Sequence, residues 1–161
     1  MRSKQQIIRT YLANRWYKKT LVITNHKQYF YDDIQSVEMT VCSGFVKDVK
    51  IVCVFDTVAW PFRCKTFDLI VLDGSFIKNR KKSKEILSQL YFCLSDDGEV
   101  IVAGSDDIRS YSLVSKFIAS GFFSKKIKLI ENSNNIFVNI CSRFLSKKFV
   151  AIFKKDKMFH L

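Results

Sequence analysis

The chain has 161 residues, 48% of them hydrophobic, with one Pro and five Gly. That suits one domain with a substantial core, is too short for two ordinary ones, and argues against disordered linkers or repeats. Lys and Arg total 27 against 15 Asp and Glu, a net charge of +12, which favours anionic partners: nucleic acid, anionic lipid or an acidic substrate.

Ser3 is placed to cap a helix running to about Lys18. Ile7, Ile8, Tyr11, Leu12 and Trp16 fall on one face of it, and Arg9, Asn14 and Arg15 on the other. Thr20 to Thr24 is a short β-branched run and predicts a strand. The stretch from Asn25 to Gln35 is ambiguous. Val37 to Cys42 alternates apolar and polar residues as a strand does, and Ser43-Gly44 marks a turn. Val49 to Phe55 is a stronger strand that ends at Asp56, and Trp60-Pro61-Phe62 is a loop around the single Pro.

Phe67 to Leu72 is almost continuously apolar, the pattern of a strand covered on both faces in a parallel sheet. Asp73-Gly74-Ser75 ends it. A helix from about Asn79 to Leu94 follows, with Ile86, Leu87, Leu90, Tyr91 and Leu94 on one face. Asp96-Asp97-Gly98 is a tight turn, and Glu99 to Ala103 is a second buried strand. Two such strands joined through a helix make a right-handed parallel crossover. A helix from about Ser110 to Ser120 presents Leu113, Phe117 and Ile118, and Gly121 ends it. Ile127–Ile130 and Phe149–Phe153 read as strands with a loop or insertion from Asn132 to Ser146 between them, so they are expected to pair antiparallel.

The five Cys stand at 42, 53, 64, 93 and 141 with no CxxC spacing. An odd number of thiols in or beside apolar runs points to buried free Cys in a reducing, cytoplasmic compartment. With only two His, at 26 and 160, the composition argues against a zinc site. No apolar run approaches the ~20 residues that cross a bilayer. The basic, amphipathic N-terminus has some look of a transit peptide, and equally that of an ordinary surface helix.

Alternating strands and helices place a ligand at the carboxyl ends of the strands. Those ends carry Thr24-Asn25, Ser43-Gly44, Asp56-Thr57, Asp73-Gly74-Ser75 and Gly104-Ser105. An acid such as Asp56 can accept a hydrogen bond from an exocyclic amine there, and Asp73 can orient a substrate donor. Asp is also common wherever a strand turns.

Three stretches in order carry a resemblance: Asp56-Thr57-Val58-Ala59-Trp60-Pro61-Phe62, Phe67-Asp68-Leu69-Ile70-Val71, and Leu94 to Val102 through Asp96-Asp97-Gly98. Together they resemble class I S-adenosylmethionine-dependent methyltransferases of the type-11 kind. The match covers about Val49 to Gly104, with weaker agreement to Phe153. It implies an α/β, Rossmann-like three-layer sandwich, with a mostly parallel sheet and an antiparallel C-terminal strand. It implies S-adenosylmethionine as cofactor, with Asp56 and Thr57 beside the adenine, and Leu72 and Asp73 facing the methionine part and the substrate. Thr24 and Asn25 would stand where the first strand meets the cofactor. Two departures are plain. The family's Gly-rich turn corresponds to Leu21-Val22-Ile23-Thr24-Asn25-His26-Lys27, which has no Gly. The acid that ends the family's second strand corresponds to Cys42-Ser43-Gly44, and Glu38 lies at the wrong end.

Lys78, Arg80, Lys81, Lys82 and Lys84 crowd the start of the helix after Asp73. Cations at a helix N-terminus oppose its dipole by a few tenths to ~1 kcal/mol each, which a bound anion relieves. The functional reading is an anionic acceptor such as RNA or a phosphorylated lipid or metabolite. The bland one is a solvated basic face, in a chain whose Lys, Asn, Ile and Phe together match drift in an AT-rich genome. The expected organisation is one domain over 1–161: an N-terminal helix (1–18), a core sheet (20–104), and a C-terminal helix and hairpin (105–161). The leading functional expectation is methyl transfer to an unidentified, anionic acceptor. Its rivals are an inactive methyltransferase fold that binds RNA or a protein, and a peripheral membrane protein using its N-terminal helix and Trp16. No nucleophile or general-base pair stands out.

Overall fold

The structure is a computed structural model that describes residues 4–24, 34–43, 53–54, 60–77, 80–104, 109–129 and 149–158. Its strands are β1 (Tyr17–Thr24), β2 (Ser36–Ser43), β3 (Cys53–Val54), β4 (Phe67–Asp73), β5 (Leu94–Ala103), β6 (Phe122–Leu129) and β7 (Phe149–Lys155), and its helices α1 (Lys4–Leu12), α2 (Arg80–Cys93) and α3 (Ser110–Ile118). The strands form one sheet in the order β3-β2-β1-β4-β5-β7-β6. β1 to β5 run parallel, while β7 is antiparallel to both β5 and β6. The mostly parallel sheet with an antiparallel C-terminal end is the architecture expected from the sequence.

Period-two alternation explains the three layers. Leu21, Ile23, Ile70, Leu72, Val100, Val102, Ala151 and Phe153 form one core with Leu87 and Leu90 of α2 and Leu113 and Phe117 of α3. Val22, Leu69, Val71, Ile101, Val150 and Ile152 form the other core with Ile7, Ile8 and Leu12 of α1. Strands buried on both faces need continuous apolar sequence, which is why Phe67 to Leu72 reads as it does. Each such side chain contributes about 1.5–3 kcal/mol by leaving water. Phe117 stacks on Phe153 with centroids 3.9 Å apart and fastens α3 to β7.

Several boundaries differ from the sequence reading. The N-terminal helix ends at Leu12, six residues before the expected Lys18, because Asn14 takes a left-handed φ of 65°. Asn tolerates that conformation, and it breaks the helical path. Trp16 therefore leaves the apolar face and is 74% exposed, and β1 starts at Tyr17 instead of Thr20. β6 likewise starts at Phe122 instead of Ile127. The Asp96-Asp97-Gly98 turn is absorbed into β5: its register against β4 passes from Phe67↔Leu94 to Leu69↔Glu99, two steps against five. The extra residues bulge out, and a Cβ on Gly98 would lie 2.7 Å from Leu94 Cδ1. Only Cys53 and Val54 of the strand expected over Val49–Phe55 lie within the described residues, and the expected loop from Asn132 to Ser146 lies outside them.

Candidate functional site

β1 lies between β2 and β4. The chain passes from β1 outward to β2 and β3, then returns to β4 on the other side and continues to β5. The order therefore reverses between β1 and β4, and a sheet of this kind opens a crevice at the carboxyl ends of those two strands. Ile23 pairs with Leu72, so Thr24 and Asp73, one residue further on, stand level on neighbouring strands. Asp73 in turn pairs with Ala103, which brings Gly104 alongside. The register thus brings Thr24, Asp73 and the end of β5 together at the carboxyl ends where a sheet of this order takes a ligand.

The side chains differ in what they offer. Thr24 is buried and presents a hydroxyl. Asp73 is half-buried, and its Oδ1 accepts the Ser75 N–H at 2.9 Å, which bends the chain into a 3₁₀ turn over Gly74–Ile77. Lys116 of α3 donates to the Ile77 carbonyl at 2.7 Å and fixes that turn from the other side. Leu72 is 1% exposed and packed in the α2–α3 core, so its main chain is what it can present to a ligand. α2 begins at Arg80, so Arg80, Lys81 and Lys82 occupy its first turn with no acid among them. Lys82 and Lys84 are exposed. Asn25, Asp56, Thr57 and Lys78 lie outside the described residues.

The Phe-Asp pair that opens β4 has a structural role. Phe67 is buried against Phe62, with rings edge to face at 5.0 Å. The Asp68 carboxylate accepts the main-chain N–H groups of Lys18 and Lys19 at 2.8 and 2.9 Å, which sets the start of β1 beside β4.

A second cluster escaped the sequence reading. Glu99, 5% exposed on β5, accepts from Tyr11 Oη at 2.7 Å, Lys125 Nζ at 2.6 Å and Arg15 Nη1 at 3.3 Å. Burial pushes its carboxyl up, but hydrogen bonds from Lys125 and Tyr11 and the charges of Lys125 and Arg15 outweigh that and hold it below its ordinary value. Burial and the bond to Glu99 raise the Tyr11 hydroxyl, so it stays a donor. Its one local trace in the sequence is the Lys125-Lys126-Ile127-Lys128 run of β6, since its other members are far apart in the chain. No helix among the described residues is long and apolar enough to cross a membrane.

No family model matches the sequence, and no curated relative matches it. Solved structures do match in shape. The N-methyltransferase NodS from Bradyrhizobium japonicum WM9 superposes with a TM-score of 0.70 at 11% identity, covering 94% of this chain and 93% of NodS. NodS in complex with S-adenosyl-L-homocysteine gives 0.68 at 10% identity, over 96% and 89% of the two chains. An S-adenosylmethionine-dependent methyltransferase from Archaeoglobus fulgidus gives 0.64 at 14% identity, over 94% and 95%. Near-complete coverage in both directions, the strand order and the antiparallel β7 agree on one conclusion: the chain has the fold of class I S-adenosylmethionine-dependent methyltransferases.

Proposed function

We propose that this chain binds S-adenosylmethionine at the crevice between β1 and β4 and positions an anionic acceptor for methyl transfer. The observation that carries the reading is the level placement of Thr24 and Asp73 at the point where the strand order reverses. The donor set there suits the amino-acid end of the cofactor: the Asp73 carboxylate accepts from an ammonium, and the Thr24 hydroxyl and main chain offer further polar contacts. Asp56 and Thr57 would take the adenine, and Asn25 and the Leu72 main chain would complete the enclosure. When bound, S-adenosylmethionine supplies an activated methyl on a sulfonium. The chain's part is then placement in line with the acceptor, which by itself lowers the barrier substantially and needs no general-base pair. Lys78, Arg80, Lys81 and Lys82 would hold the acceptor's negative charge near the mouth. On this reading 1–161 acts as one domain in a reducing cytoplasm, in keeping with the free thiols of Cys42, Cys64 and Cys93.

Calorimetric titration with S-adenosylhomocysteine tests the proposal. Saturable binding that Asp73→Ala and Asp56→Ala each weaken at least tenfold is the expected result. Absence of heat at millimolar ligand, with folded protein, overturns it. That outcome would leave the second reading, an inactive methyltransferase fold acting as an RNA- or protein-binding module. One observation favours that reading: the eleven residues between Thr24 and Ser36 (25–35) include no Gly.

A further inference from the structure

The α1 side of the sheet carries a row of cations with one acid among them. Glu99 meets Arg15 at 3.3 Å, Lys125 at 2.6 Å and Lys154 at 3.6 Å. Three cations on one carboxylate leave a surplus of two charges. The Arg15 guanidinium also lies 4.1 Å above the Tyr11 ring, which holds it in place. The register extends the row. Lys126 pairs with Ile152 and Lys128 with Val150, and both apolar partners belong to the core beneath α1. Cross-strand partners point to the same face, so Lys126 and Lys128 share that side. Lys126 is exposed and Lys128 half-buried. Their Cα atoms are about 7 Å apart, two steps of a strand. β6 and β7 contain no acidic residue; of the acids on β5, Glu99 meets Lys125 and Lys154, while Asp96 pairs with Lys65 and Lys155 and Asp97 with Lys157.

Exposed aromatics flank the row. Phe123 pairs with Lys154, so it shares this face, and it is 45% exposed. Trp16, next to Arg15 in the chain, is also exposed. Cations spaced along an extended strand, with aromatic rings beside them, suit a single-stranded nucleic acid: the phosphates take the charge and the bases stack. An anionic membrane suits the face poorly. An interfacial helix needs a free apolar side, and Ile7, Ile8 and Leu12 of α1 are all committed to the core.

We propose that the face formed by β6, β7 and the end of α1 binds single-stranded nucleic acid through its phosphates. The surface is separate from the cofactor crevice and does not rest on it, so calorimetry with S-adenosylhomocysteine and the experiment below fail or succeed independently.

The test is fluorescence anisotropy with labelled oligo(U) and oligo(dT) of about 16 nucleotides, the upper range for one compact binding fold, across a salt series and without cofactor. Saturable binding to either oligonucleotide supports the proposal, and the better of the two tells RNA from DNA. Lys126→Ala/Lys128→Ala is expected to weaken binding at least tenfold and to lower the salt slope by about 1.4, two single-strand contacts at ~0.7 each. Trp16→Ala, at an exposed site, is expected to weaken binding while keeping the slope, and it serves as an independent variant should the double substitution disturb folding. Wild-type affinity and slope in both variants overturn the proposal. So does co-sedimentation with anionic phosphatidylserine vesicles in the absence of oligonucleotide binding, which would make the face a membrane contact.

Discussion

Glu99 shows how much a single residue can organise and how little of that is visible in sequence. In the linear chain it is merely the polar first residue of an apolar run. In the structure it joins Tyr11 and Arg15, from and beyond α1, to Lys125 on β6 and Lys154 on β7. Glu99→Gln keeps the size and removes the charge, and is expected to cost about 1.5–3 kcal/mol at neutral pH, the range for hydrogen bonds to a charged group. The sign of the pH dependence follows from the lowered carboxyl. Its stabilisation is fully present above the unfolded value of about 4.3 and is lost as pH falls through the lower folded value. The stability gap between wild type and Glu99→Gln, measured by urea unfolding, should therefore be constant above about pH 5 and close under more acidic conditions. A gap that is unchanged at pH 3 would mean that the carboxylate is not what holds α1. The strand-end positions of Thr24 and Asp73 were legible by contrast, because each closes an apolar run in the sequence. Asp68 was read as part of a resemblance, and its hydrogen bonds to Lys18 and Lys19 give that motif a physical basis.

At the scale of elements, apolar runs were more legible than the polar stretches that extend them. Apolar continuity located β4 and β7 to within one or two residues, since a strand buried on both faces has little freedom in composition, whereas β5 and β6 each begin five residues before the expected start and both ends of α2 fall within one residue of the expected ones. The end of α1 was not legible, because Trp16 continues the helical spacing and only the left-handed Asn14 stops it. α3 ends at Ile118, two residues before the expected Ser120, and Gly121, read as its stop, closes the turn that follows with a φ of 85°. Its N–H bonds to the Ile118 carbonyl at 3.1 Å, and its own carbonyl receives the Asp156 N–H at 2.8 Å, so the turn also ties α3 to the end of β7. Gly121→Ala forces a side chain into the left-handed region and is expected to cost about 1–2 kcal/mol in thermal or urea unfolding. No loss of stability would show that the turn can relax to negative φ without cost.

At the scale of the whole molecule, two concentrations of positive charge stand apart among the described residues: the first turn of α2, which follows the carboxyl end of β4, and the α1 side of β6 and β7. The first was legible as a run of basic residues; the second was not, because it is assembled by sheet register from residues far apart in sequence. The two are separable by substitution. Charge reversal in Lys81→Glu/Lys82→Glu should weaken binding of an anionic acceptor at the crevice at least tenfold at low salt, measured with a panel of RNA and phosphorylated small molecules. Unchanged affinity across the panel would leave the α2 cluster as a solvated face. The fold itself was legible because core pattern and strand order reinforce one another, whereas cofactor binding was not, since the Gly-rich turn that is its main sequence signal is absent from Leu21 to Lys27.

The position of β7 bears on how the chain can be made. It is the last strand in sequence yet sits between β5 and β6. A nascent chain that has left the ribosome only as far as Leu129 can pair β1 to β5 in parallel, but β6 has no neighbour in the final sheet, and Val100 and Ile101 remain on an open edge. Closing that edge requires Phe149–Lys155 to insert between two strands that precede it in sequence, and this long-range pairing is slow compared with helix formation. Until then, the apolar edge of β5 is the part of the molecule most exposed to wrong pairing, and chaperone capture would be aimed there.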